Sequence, residues 1–95
     1  MPLFVWIGRD REGSAEQRAR VRPVHLESLR KHAPQIRFAG PLRDANGVPR
    51  GSVIVIEAAQ LDDVRAIAAS DPYAREGVFA SWEVFETVQV LPETA

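Results

Sequence analysis

A chain of 95 residues has room for one small domain, spanning 1–95, at a size where a single core is marginal and burial against a second copy adds stability. Twelve basic and thirteen acidic side chains leave a net charge of −1, so there is no broad positive field to gather phosphate backbones, and nucleic acid is not an expected partner. With no cysteine, disulfides, thiolate nucleophiles and Cys-type zinc sites are excluded, and any chemistry falls to His, carboxylate, hydroxyl or Arg.

Leu3 to Ile7 is an unbroken apolar run that reads as a strand buried on both faces. It is too short for a signal sequence and runs into Arg9-Asp10-Arg11-Glu12, and no stretch is long enough to span a membrane; the expectation is a soluble cytoplasmic protein. Ser14 and Gln17 have the spacing of a capping box. Pro23 would break a helix interior but suits a first turn, so the sequence predicts a helical turn over Ala15–Val21 and a main helix from Pro23 to about His32, with Leu26 and Leu29 inward. Basic residues between Arg18 and Lys31, diluted by Glu27, read as a solvated helix face.

A second strand is predicted over Gln35–Ala39, ended by Gly40-Pro41, with a long hairpin loop over Pro41–Arg50 built on Asp44-Ala45-Asn46-Gly47. Gly51–Glu57, with four consecutive β-branched residues, reads as a central third strand. Leu61, Val64, Ile67 and Ala68 recur at helical spacing and predict a second helix over Gln60–Ser70, stopped by Asp71-Pro72. Val78–Leu91 completes the chain as a fourth strand, and Pro92–Ala95 reads as a loose tail.

The order βαββαβ is the ferredoxin-like α+β pattern, a four-stranded antiparallel sheet with two helices on one face. Because the first and third strands are apolar on both sides, the bare face needs cover, and a second copy packed sheet to sheet supplies it as a homodimer.

In this order of elements, Arg22-Pro23 and His25-Leu26, Gly40-Pro41-Leu42, Gly47, Gly51-Ser52, Asp71-Pro72-Tyr73 and Gly77-Val78 resemble the YciI-like (YCII-related) family of small α+β proteins over most of the chain. That family is similar to the dimeric α+β barrel group. The resemblance implies an enzyme with a His–Asp pair in a cleft, and carried over residue by residue the pair falls on His25 and Asp71.

Each candidate also has a plainer reading. Histidine ordinarily titrates near neutrality and suits general acid/base work, whereas His25 as a packed helix residue would do no chemistry. Asp71 before Pro72 fits a helix N-cap as well as a carboxylate that orients a histidine. Arg22, three residues before His25, shares its helix face and could hold an anion or form a surface ion pair. Tyr73 could donate into the cleft or lie on its rim, and Ser52 could point its hydroxyl there; Gly40 and Gly51 read as structural, as does His32 at a helix end.

Neither a metal-ligand spacing nor a phosphate loop nor a Ser-nucleophile motif is visible, so no metal or cofactor is expected. The sequence thus predicts a small cofactor-independent enzyme, isomerase or lyase in type, in which His25 and Asp71 transfer a proton on a small organic acid or phenol-like substrate. Arg22, Ser52 and Tyr73 would bind that substrate. The alternative is a non-catalytic dimeric module that binds a small ligand in the same cleft.

Overall fold

A computed structural model of the protein describes residues 1–93. Among these residues, strands β1 (Leu3–Asp10), β2 (Ile36–Arg43), β3 (Pro49–Glu57) and β4 (Phe79–Thr87) form one antiparallel sheet in the order β2-β3-β1-β4. Helices α1 (Ala15–Arg30), α2 (Leu61–Ser70) and the four-residue α3 (Pro72–Arg75) lie on one face of it. The fold is the ferredoxin-like α+β arrangement, with the two long apolar strands at its centre as their composition requires.

The core forms where Phe4 and Trp6 of β1 and Ile54 and Ile56 of β3 meet Leu29, Val64, Ala68 and Tyr73 of the helices. Side chains alternate across a strand, so Leu3, Val5, Ile7, Val53 and Val55 point the other way and are only half-buried. The run Leu3–Ile7 is therefore covered on one side within a single chain, not on both. Val5 lies between Val55 and Phe85, and Val55 also pairs with Phe38; Phe38 and Phe85 are 57% and 51% exposed. The bare face of the sheet thus carries an apolar strip at its centre, with Glu57, Glu83 and Thr87 of the same face at its margins.

α1 is one continuous helix instead of a turn followed by a main helix. Pro23 removes the hydrogen bond to the carbonyl of Ala19, but both residues are exposed, so water can take the freed acceptor. Arg18, His25 and Leu29 are buried at helical spacing, a stripe that holds both halves against the sheet. The capping box does not form. Ser14 Oγ donates to the carbonyl of Arg11 at 2.6 Å, while Gln17 reaches across to Arg11 and to the carbonyl of Glu76.

β2 continues through Gly40-Pro41 to Arg43. It is an edge strand, where a proline can stand without breaking the ladder, and Pro41 still pairs with Ser52. The predicted long loop shrinks to a turn in which Asp44 Oδ1 accepts from the amides of Asn46 and Val48, and Gly47 takes a φ of 79°. β4 stops at Thr87 because its partner β1 begins there, at Leu3; Val88, Val90 and Leu91 are exposed beyond it. The predicted loose tail includes Thr94 and Ala95, which lie outside the described residues. No helix among the described residues is long and apolar enough to cross a membrane.

Candidate functional site

Between α1 and the β2–β3 hairpin lies a cavity of about 400 Å³, with Arg18, Arg22, His25, Arg43, Ser52 and Tyr73 among its walls and Leu26, Leu29 and Ile54 supplying apolar surface. It is within the size range of small-molecule sites. All five residues singled out from the sequence converge here: four line the cavity, and Asp71 stands directly behind His25.

Asp71 ends α2 and starts α3. Its extended backbone and the proline that follows set it as the N-cap of α3, where it accepts from the Tyr73 amide at 2.9 Å. The same carboxylate meets His25 Nδ1, at 2.8 Å from Oδ2 and 3.0 Å from Oδ1, with both side chains buried. A carboxylate in this place favours the tautomer in which Nδ1 carries the hydrogen and donates it, leaving a lone pair on Nε2. Among the described residues Nε2 has no hydrogen-bond partner, and His25 lines the cavity. Capping and orientation of the histidine are performed by one side chain at once.

Tyr73 lies under His25 with ring centroids 3.8 Å apart, and meets Phe79 edge-on at 5.4 Å. Phe79 in turn rests on Gly8, where a Cβ would come within 2.4 Å of its ring, so the bare backbone of Gly8 is what admits it. Burial pushes the Tyr73 phenol above its ordinary value of 10.0, against the opposing pull of Arg18 and Arg22.

Arg18 is the main element missing from the sequence reading. It does not belong to a solvated face: it is 7% exposed, held by Asp10 through 2.8 and 3.0 Å bonds from Nη1, bonded to Ser52 Oγ from Nη2 at 2.6 Å, and placed 4.6 Å over the Tyr73 ring. Its place four and seven residues before Arg22 and His25 was the available signal. Burial raises the Asp10 carboxyl above its ordinary 3.8, more than Arg18 lowers it. Arg22 is exposed at the cavity and has no ion-pair partner among the described residues; the same holds for Arg43, which the sequence reading also passed over. His32 takes no part in the cavity and precedes a 3-10 turn over Ala33–Gln35. Among the described residues no group of three or more His, Asp or Glu is placed to hold a metal.

The YCII-related domain family matches residues 2–88 of the sequence. The chain belongs to that family. Among solved structures it is similar to 5-chloro-2-hydroxyhydroquinone dehydrochlorinase from Burkholderia phenoliruptrix, determined in complex with 2,5-dihydroxybenzoquinone. The two are 30% identical over 87% of this chain and 90% of that one, with a TM-score of 0.82. A cofactor-independent oxygenase from Streptomyces nogalater, SnoaB, shares the fold at 16% identity, covering 98% and 100% of the two chains with a TM-score of 0.65. Protein Atu4242 from Agrobacterium tumefaciens does so at 16% identity over 97% and 96%, with a TM-score of 0.59. No curated protein matches the chain.

Proposed function

We propose that this YCII-related protein is a small enzyme that moves a proton on a phenol-like ring or small organic acid, with His25 as base and Asp71 as its orienting partner. The observation that carries this reading is the 2.8 Å bond between His25 Nδ1 and Asp71, which leaves Nε2 as the ring nitrogen free to take a proton at the cavity. Nε2 accepts the proton, the electron pair released moves into the substrate ring, and Asp71 stabilises the imidazolium so formed. Return of the proton to a different atom completes an isomerisation; departure of an anion from the ring completes an elimination, with the proton left on His25 and then lost to water. Arg22 holds an anionic substituent at the entrance, and Tyr73 and the apolar wall receive the ring. The relative that binds 2,5-dihydroxybenzoquinone supports hydroxylated rings and quinones as the substrate class.

The same proposal assigns the apolar open face of the sheet to a second copy of the chain, giving a dimeric α+β barrel with one cavity in each protomer.

Wild-type protein and His25→Gln are to be incubated with halogenated and unhalogenated hydroxyhydroquinones, following halide release and ring isomerisation. Turnover by the wild type and a loss of about 10²-fold or more in His25→Gln is the expected result. Turnover undiminished in His25→Gln overturns the assignment, and tight ring binding with no turnover by the wild type points to the non-catalytic module.

A further inference from the structure

Among the basic side chains that line the cavity, Arg18 is held by both carboxylate oxygens of Asp10, and His25 by Asp71. Arg22 and Arg43 have no ion-pair partner among the described residues, and no Asp or Glu lines the cavity to supply one. Two uncompensated positive charges therefore meet at one opening.

They come from opposite walls. Arg22 stands on α1 one turn ahead of His25, and its charge is near enough to the Tyr73 phenol to pull its titration downward against the effect of burial. Arg43 is placed by the sheet. Side chains alternate along a strand, and Ala39, Pro41 and Arg43 of β2 line the cavity, whereas Phe38 and Leu42 do not and are exposed. At the hairpin end the register slips: Leu42 pairs with Gly51 but Arg43 with Pro49, so that Arg50 is the extra residue. Arg50 bonds to Asp44 Oδ2 at 2.9 Å. The hairpin thus occupies one of its two arginines at this end with a carboxylate of its own and leaves the other at the cavity.

A guanidinium offers parallel N–H donors that match the two oxygens of a planar carboxylate, and two such groups on facing walls can share one carboxylate between them. We infer that Arg22 and Arg43 form a carboxylate-binding pair at the mouth of the cavity, with Arg43 the residue that sets specificity, and that the preferred ligand is a hydroxylated ring bearing a carboxylate. The ring lies inward against the apolar wall and the His25 imidazole, and the carboxylate stays at the opening. This names the substrate class of the site proposed above; it rests on the cavity as a binding site for a ring, and not on proton transfer by His25.

The test is calorimetric binding of dihydroxybenzoates and of their methyl esters, which keep the ring and lose the charge, at neutral pH. The wild type is expected to bind each acid about tenfold or more tightly than its ester. Arg43→Gln and Arg22→Gln bring the acid down towards the ester and leave the ester's affinity as it was, and Arg43→Lys, a cation without the fork, keeps part of the preference. Arg50→Gln removes the same charge from the same end of the hairpin but outside the cavity, and leaves the preference intact. An equal loss in Arg50→Gln, or a full preference in Arg43→Gln, overturns the pair. His25→Gln separates this inference from the proton-transfer reading: an acid preference that survives in it supports the pair whether or not the protein turns any ring over. A wild type that turns over neutral rings through His25 but binds acid and ester alike refutes the pair alone.

Discussion

His25 and Tyr73 stack face to face, with ring centroids 3.8 Å apart and planes 15° from parallel. Tyr73 is also two residues after Asp71, the carboxylate that binds His25 Nδ1, and its amide donates to that carboxylate. The four-residue helix α3 and its N-cap thus supply both the acceptor at the edge of the imidazole and the ring against its face. The imidazole has few ways left to turn, which is what a positioned base needs.

Asp71 satisfies two buried donors with one carboxylate, and substitution tests how much that is worth. Asp71→Asn keeps an oxygen for the Tyr73 amide and for His25 Nδ1–H, and is expected to lose about 1 kcal/mol of stability. Asp71→Ala strands both donors in a buried setting and is expected to lose about 3 kcal/mol. Urea unfolding of the two variants checks the order; equal losses would mean that the carboxylate is not satisfying these groups.

The Asp71-Pro72 pair was legible because each residue has a local job, a carboxylate cap and a first-turn proline; the burial of Tyr73 against His25 was not, because the imidazole it stacks on comes from another helix. The central strands were legible from their β-branched runs. Arg18 was not, since it stands in a helix carrying Arg20, Arg22 and Arg30, and nothing local separates the arginine that turns inward from those that stay in water. Its partners Asp10 and Ser52 come from two other strands and meet it only after folding. Pro23 misled for a similar reason, because burial of one stripe along α1 outweighs the hydrogen bond lost on its wet side.

Tyr73 is the only tyrosine in the chain, so phenolate absorbance reports on it alone. Its titration midpoint is expected above 10.0 in the folded protein and at the ordinary value after denaturation. Because the folded phenol holds its proton longer, stability falls as pH rises from 10.0 through the raised folded value. A folded midpoint at or below 10.0 would contradict the burial described here.

Asp10 and Asp44 give stability opposite slopes in neighbouring pH ranges. The Asp10 carboxyl is raised in the folded state by burial, so between 3.8 and its folded value the native protein binds more protons than the unfolded chain, and stability declines with rising pH. Asp44 is lowered by its bond from Arg50 and by the amides of Val48 and Asn46; its contribution is present above 3.8 and is lost as pH falls through the lower folded value. Denaturant unfolding across this range should show Asp10→Asn removing the decline above 3.8 and Asp44→Asn removing the loss below it.

Val55 occupies the middle of the open sheet face, between Val5 and Phe38. If a second copy covers this face, Val55→Lys buries an unpaired charge in the interface, and sedimentation should find a dimer for the wild type and a monomer with intact helical circular dichroism for the variant. A wild type that sediments as a monomer would refute that assembly.

The most direct measurement is exchange of ring hydrogen for deuterium in hydroxyhydroquinone, followed by proton NMR in deuterated water with the wild type and with His25→Gln. Catalysed exchange by the wild type, falling about 10²-fold or more in the variant, is the result that His25 as base requires. Exchange at the same rate in both proteins, or none above buffer for a wild type shown to bind the compound, would contradict it.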